Sequence, residues 1–445
     1  MATKGKGAID PKPLCQFGEN CYRRNPQHFQ QFRHPKRKVE EEEEQIDVKK
    51  KKNEPKKIER YFKPGKKSDD KEDASDGGED DDKDPTARGS DTGPDVPNAE
   101  AGKDSDKEVE KEAEEFEEEE DVGDSPASPV SIRENVKQKF MVEMPEDFYD
   151  FWKFCKTENP KKPEDALLKP LGFQLVGPYD ILAGKHKGIT KNKDGRRVNF
   201  LLHWRYYYDP PEFQTVIKGD DSKQFHIGYF RDDPNEMPVF VAENSAKVNS
   251  TITARGDNLF AAIQYYIDEK LKGKDTDSTI KTDLKNLREK INSSAKKKDY
   301  SLDQKSKSMK ARDKKVVCKS FHAAGIVVPV DDNGVGYREV PETDADLKKM
   351  LKKIAASKTE SERDKSFEPL QELMTLVQFA NDECDYGEGL ELGMNLFCYG
   401  GEVFHSSILR LLPLAYELLN RDVFSKIITA HLQNRKHGED LSQLE

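Results

Sequence analysis

The sequence predicts an α+β protein with a two-part body, an antiparallel sheet with helices followed by a mostly helical C-terminal unit, preceded by a small metal module and a disordered acidic linker. Three observations predict it. Short segments rich in β-branched and aromatic residues, GFQLVGPYDIL, RVNFLLHWRYYYDPP, FQTVIKG, QFHIGYFRDD and MPVFVAEN, follow one another at hairpin spacing between Gly172 and Asn244. The tail from Ser406 repeats apolar residues at Ile408, Leu411, Leu412, Ala415, Leu418 and Leu419, then Val423, Phe424, Ile427 and Ile428, which is helical spacing. Charge is also unevenly spread: residues 1–130 hold 25 Lys+Arg against 36 Asp+Glu, a difference equal to the whole chain's net charge of −11. The rest is electrically neutral and carries both tryptophans, as a folded body should.

The elements follow in order. Residues 12–37 are the metal module and 38–132 the charged linker. The linker contains the run Lys49–Lys52 with Lys56 and Lys57, which is either a cluster of the kind read by nuclear import receptors or a solvated lysine run. Within it, residues 61–130 carry 9 basic and 26 acidic groups and almost no aliphatics, too little apolar surface to offset the entropy of ordering. Its acidic block Glu112–Asp121 either mimics nucleic acid toward a basic partner such as a histone or keeps the linker extended by self-repulsion.

The N-terminal α+β domain spans 133–272. It opens with an amphipathic helix through Phe148, Phe151, Trp152 and Cys155 that Pro160 ends, continues through the strands, and closes with the helix LFAAIQYYIDEKLKG. Residues 273–315 read as a lysine-rich connector with a surface helix at Ile280, Leu284, Leu287 and Ile291. The C-terminal domain, 316–445, begins with strand candidates at Val316–Val317 and Ile326–Val330. The helices DADLKKMLKKIAA and FEPLQELMTLVQFA follow, then the acidic loop NDECDYGEG and the strand-like LELGMNLFCYG.

Composition excludes several classes. With 36% charged and 34% hydrophobic residues, the chain is not globular throughout. No window approaches the roughly 18 apolar residues of a membrane helix, and MATKGKGAID lacks the apolar core of a secretory signal, so no membrane partner is expected. Six scattered cysteines do not make a disulfide framework and fit a reducing compartment.

Cys15, Cys21, His28 and His34 place two thiols and two imidazoles within twenty residues, the donor set that Zn²⁺ takes in tetrahedral structural sites. A segment this small needs the metal to fold. Its cysteines lie further apart than those of a DNA-reading C₂H₂ finger, which implies a different ligand. The stretch KPLCQFGENCYRRNPQHFQQFRHP resembles the poly(ADP-ribose)-binding zinc finger family in its aromatic-Gly after the first cysteine, its Cys-Tyr-Arg, its Asn-Pro-x-His and its closing His-Pro. That resemblance implies poly(ADP-ribose) as ligand, with Phe17 and Tyr22 offering stacking faces and Arg23 and Arg24 guanidinium forks for pyrophosphate.

The second cluster is Asp382, Glu383, Asp385, Glu388 and Glu391, five carboxylates within ten residues, punctuated by Gly387 and Gly389. Crowded like charges raise at least one pKa. An EF-hand is excluded, because the sixth and twelfth positions from Asn381 are Tyr386 and Leu392 rather than Gly and Glu. Composition alone leaves a solvated turn and a functional site both open.

The segments GYREVPETDADLKK, NDECDYGEGLELGMNLFCYG and LLPLAYELLNRDVF resemble the histone PARylation factor family over the chain from about residue 133 onward. The resemblance implies an accessory factor that docks on the catalytic domain of DNA-damage-activated poly(ADP-ribose) polymerases, completes their active site and directs ADP-ribosylation to serine on histones and other proteins. It implies NAD bound by the polymerase rather than by this chain, and a nuclear location at sites of DNA damage. The family's Asn-Asp-Glu-Cys-Asp motif falls on Glu383 as general base with Asp382 against the polymerase, and its Tyr-Arg pair on Tyr337 and Arg338 as docking residues. Arg338 is further expected to hold the acidic loop by a bidentate carboxylate pairing.

Cys384 has no argued partner base and reads as a small buried residue, and His203, His226 and His405 read as structural. Ile58, Tyr61 and Phe62 resemble a sliding-clamp-binding peptide, although Pro55 stands where that family has glutamine. A non-catalytic poly(ADP-ribose) reader or scaffold in DNA repair is the competing reading of the whole chain.

Overall fold

The computed structural model describes residues 131–273, 277–438 and 441–444. All of them belong to one compact unit. Its first half is built around a five-stranded antiparallel sheet in simple sequential order: β1 (Gln174–Leu175), β2 (Phe213–Lys218), β3 (Phe225–Phe230), β4 (Phe240–Ser245) and β5 (Thr253–Gly256). Period-two alternation sends Ile227, Tyr229 and Val241 to one face and Phe230, Phe240 and Ala242 to the other. Both faces are covered, which is why these strands are apolar on both sides rather than on one.

The first face meets helices α1 (Ile132–Phe140) and α2 (Glu146–Glu158), the short helices α3 (Leu168–Leu171) and α4 (Pro178–Leu182), then α5 (Leu259–Lys272) and α6 (Ser278–Lys297). Asp147 ties three of these elements together: it accepts the Tyr229 hydroxyl at 2.6 Å and the Leu259 amide at 2.8 Å. Burial lifts its carboxyl to about 6. Helix α6 is the lysine-rich segment. It is more than a surface connector, because Leu284, Leu287, Ile291 and Ala295 are all buried in the same core as Phe148 and Phe260. The other sheet face is smaller and is closed by Met309 of α7 (Lys307–Asp313).

A two-stranded ladder, β6 (Val316–Cys318) with β7 (Ile326–Val327), leads into the helical part. This comprises α8 (Asp344–Ala355), α9 (Glu360–Asp382), α10 (Tyr386–Tyr399), α11 (His405–Leu418) and α12 (Asp422–Asn434) around a second core. LELGMNLFCYG, expected as a strand, lies in α10. Residues 387–398 are all buried, and a helix that is covered on every side has no clear amphipathic stripe to betray its period. The reason it can sit centrally is steric. A Cβ on Gly393 would lie 2.7 Å from Leu412 of α11, and one on Gly389 3.1 Å from Val377 of α9.

RVNFLLHWRYYYDPP also departs from expectation, forming turns in place of a strand. Side chains have taken over its backbone hydrogen bonds. Asn199 accepts the Leu201 amide at 3.0 Å, Asp209 accepts the Tyr206 amide at 3.1 Å, and the Arg205 guanidinium donates to the carbonyls of Leu201 at 2.8 Å and Pro210 at 2.9 Å. GFQLVGPYDIL keeps only β1 extended, because Gly177-Pro178 starts α4 with Asp180 accepting the Gly177 amide. The far end of the chain returns to this region. The Trp204 amide donates to the Leu441 carbonyl at 2.9 Å, and the Gln443 amide to His203 Nδ1 at 3.0 Å.

Ile291→Ala tests whether α6 belongs to the fold. Truncating a fully buried isoleucine should cost about 2–5 kcal/mol in a single cooperative transition monitored by urea unfolding. A change within about 0.5 kcal/mol would return α6 to the status of a connector.

Candidate functional site: a carboxylate turn held by Gly336–Val340

The acidic stretch is mostly helical. Helix α9 runs through Asp382 and α10 begins at Tyr386, so Glu383, Cys384 and Asp385 alone make the turn. The Glu383 amide closes α9 on the carbonyls of Ala380 at 3.0 Å and Phe379 at 3.1 Å, and the Asp385 amide reaches back to Ala380 at 2.8 Å. Between them Cys384 takes φ 68°, the left-handed region that costs a residue with a Cβ about 1–2 kcal/mol. Its thiol is buried and in no disulfide.

The segment Gly336–Val340 holds this turn. Asp385 Oδ1 accepts the Gly336 amide at 2.9 Å, while the Gly387 amide donates to the Gly336 carbonyl at 3.0 Å, so the two segments lock each other in both directions. Only glycine fits at 336: its φ is 131°, and a Cβ would lie 2.1 Å from the Pro329 carbonyl oxygen. Arg338 Nη2 donates to Asp385 Oδ2 at 2.9 Å and also to Glu383 Oε2. The expected bidentate pairing with one carboxylate is replaced by one nitrogen bridging two. These carboxylates hold the guanidinium more firmly protonated, the bond to Glu383 contributing most. Tyr337 lies beneath, its hydroxyl donating to Glu391 Oε2 at 3.0 Å; a Cβ on Gly387 would come within 2.8 Å of its ring.

Exposure separates four of the five carboxylates into two groups, with Asp382 intermediate between them. The Glu383 side chain is 59% exposed, while Asp385, Glu388 and Glu391 are buried. Burial raises Glu388 to about 7; Arg338 opposes the rise, and repulsion from Asp385, Glu391 and Glu383 adds to it. Its Oε2 has no hydrogen-bond partner among the described residues. Burial raises Glu391 as well, countered by its bonds from Tyr337 and the Val340 amide. Desolvation thus comes ahead of the like-charge crowding expected from the sequence.

One neighbour escaped the sequence reading. Phe379, one turn before Glu383, is 56% exposed. In FEPLQELMTLVQFA the buried residues Leu370, Leu373, Met374, Val377 and Ala380 keep helical spacing, and Phe379 lies off that stripe. That offset is the signal that could have found it. His203 and His226 are buried and bonded to Asp180 at 3.0 Å and Asp209 at 2.8 Å. The finger residues Cys15, Phe17, Cys21, Tyr22, Arg23, Arg24, His28 and His34, and the peptide residues Ile58, Tyr61 and Phe62, lie outside the described residues.

Residues 131–435 match the family model described as Histone PARylation factor 1, and residues 12–37 match the one described as PBZ domain. The chain is 56% identical over 313 residues to a Mus musculus protein named Histone PARylation factor 1, covering 70% of this chain and 89% of that one. It is 53% identical over 316 residues to the Bos taurus protein of that name, covering 71% and 90%. Against the Danio rerio protein of the same name it is 51% identical over 313 residues, covering 70% and 88%.

Glu388 makes the site's pH behaviour testable. Its folded-state pKa of about 7 lies above the ordinary 4.5, so the native state holds a proton that the unfolded chain has already lost. The stabilising contribution is complete below about pH 4.5 and disappears as pH rises through 7. Glu388→Gln keeps the neutral form at every pH. Its stability relative to wild type, from urea unfolding, should therefore rise by about 1–3 kcal/mol between pH 5 and pH 8. A gap that does not change with pH would mean that Glu388 ionises as an ordinary carboxylic acid.

Proposed function

This chain belongs to the histone PARylation factor 1 family, and from that membership we propose that it is a co-catalytic partner of DNA-damage-activated poly(ADP-ribose) polymerases, lending Glu383 as the base that deprotonates an acceptor serine. The observation that carries this reading is the posture of Glu383. It sits on a three-residue turn between two helices, projects more than half exposed, and is gripped by Arg338. A carboxylate placed this way suits use by a docked partner. The polymerase binds NAD⁺ and favours departure of nicotinamide, and a serine hydroxyl attacks the resulting electrophilic carbon only as its proton is taken.

Arg338 gives the step a condition. In the free chain its guanidinium donates to Glu383, so docking has to swing that carboxylate toward the serine while Asp385 keeps the guanidinium in place. Asp382, Tyr337 and Arg338 belong to the docking face in this reading, and the exposed ring of Phe379 adds an apolar contact beside them. The polymer-binding end of the reading rests on the PBZ match. There Cys15, Cys21, His28 and His34 would hold Zn²⁺, since two thiolates and two imidazoles suit a closed tetrahedral site. Phe17, Tyr22, Arg23 and Arg24 would then contact poly(ADP-ribose). Such a factor works on histones in the nucleus, at damaged chromatin.

The Arg338 bond also favours a second reading, in which Glu383 only fastens the turn and the protein is a scaffold. Serine ADP-ribosylation of a histone peptide by an activated polymerase separates the two when wild type and Glu383→Ala are compared at concentrations where both bind the polymerase. The lent base predicts a fall of about 10²–10⁴-fold in stimulation with binding retained. A scaffold predicts stimulation that survives. In the same assay Cys21→Ser should abolish poly(ADP-ribose) binding and leave stimulation on free peptide largely intact; loss of both would show that the body depends on the finger.

A further inference from the structure

Away from the carboxylate turn, a cavity of about 450 Å³ opens between the loop at residues 192–205 and the end of α12. That volume suits a small molecule. Among the described lining residues the charge is one-sided. Arg196, Arg197 and Lys436 are exposed at its rim and Arg435 is buried in its wall, with Asp194 as the acidic side chain among the described lining residues.

Arg435 is the unusual member. Its guanidinium carbon lies 3.9 Å from the ring centres of both Tyr207 and Phe397, and it donates to their carbonyls at 2.8 Å from Nε and 2.7 Å from Nη2. These acceptors are neutral. Among the described residues no carboxylate pairs with it, and Nη1 has no hydrogen-bond partner. It is only 5% exposed, and burial lowers it to about 10, which still leaves a cation at neutral pH. His431, on the same cavity, is buried with Nδ1 unpartnered, and burial holds its ring neutral.

A buried cation without a counterion is costly, and proteins normally pair it. We infer that this cavity is a binding site for a phosphate-bearing anion, seated on Arg435 and gathered by Arg196 and Lys436. Phosphate fits better than a single carboxylate because, among the described lining residues, Arg196, Arg435 and Lys436 face one aspartate, and because the guanidinium fork matches phosphate oxygens. The C-terminal end of α12 adds a partial negative charge of about half a unit, which the cations outweigh. The inference is independent of the role given to Glu383.

Calorimetric titration of the full chain with sodium pyrophosphate, and separately with ADP-ribose, tests it. The finger also offers arginines, so the deciding comparison is wild type against the doubly substituted Arg196→Glu, Lys436→Glu chain, both with the finger intact. Saturable binding should weaken at least tenfold in the substituted chain, with the ligand-free melting temperature unchanged. Arg435→Gln should abolish this binding; if it fails to fold, the rim variant still decides. Equal affinity for the two ligands would indicate free phosphate as the source. Tighter binding of ADP-ribose, lost with the same substitutions, would indicate a nucleotide. No saturable binding, or binding that the rim substitutions leave intact, would overturn the inference.

Discussion

The exchange between Asp385 and Gly336, closed over by Arg338, is the constraint on which the carboxylate turn depends. Two long helices meet across three residues, one of them a cysteine in left-handed backbone. That arrangement would relax if nothing held it. A carboxylate taking a backbone amide at 2.9 Å and a guanidinium nitrogen at 2.9 Å supplies charge-assisted bonds of about 1.5–3 kcal/mol each, enough to outweigh the local strain. Glu383 stays at the surface because Asp385 beside it has taken the buried half of this work. The division between the two carboxylates follows from the turn itself, which directs one inward and the other outward.

The helices on either side are held by the absence of side chains. Gly389 and Gly393 lie one helical turn apart on α10, and the neighbouring helices come in against bare backbone. Gly387 admits the Tyr337 ring in the same way, so the segment that grips the turn also packs on the helix that follows it. Core and site therefore share residues. A substitution that loosens α10 would loosen the carboxylates with it.

Much of this was legible in the sequence where one period dominates. The helices through Phe148, through Leu259 and through Ile408 and the strands at Phe213, Phe225 and Phe240 all follow a clean repeat. Legibility failed where burial removed the contrast, as in α10, and where side chains replaced backbone pairing, as around Asn199, Arg205 and Asp209. The lysine-rich α6 misled for a different reason: its stripe through Leu284, Leu287 and Ile291 was visible, but its conspicuous charge suggested a surface helix where the stripe in fact closes the core. At the site, the cluster of carboxylates and the pair Tyr337 and Arg338 could be found by motif. Which carboxylate is buried, and which nitrogen bridges two of them, depends on Gly336 lying against Asp385, 49 residues away in the chain.

The return of residues 441–444 to Trp204 and His203 has a consequence for how the molecule is made. Those contacts join positions about 240 residues apart, so they form only after residues 441–444 have been made. Because closing so long a loop carries a large entropic cost before any contact repays it, this seam is expected to zip last, after the sheet and the helical bundle have assembled. A ribosome still translating α12 would carry a body whose turns at 199–209 lack their final partner. That region would then become native only once residues 441–444 have left the ribosome and can reach it.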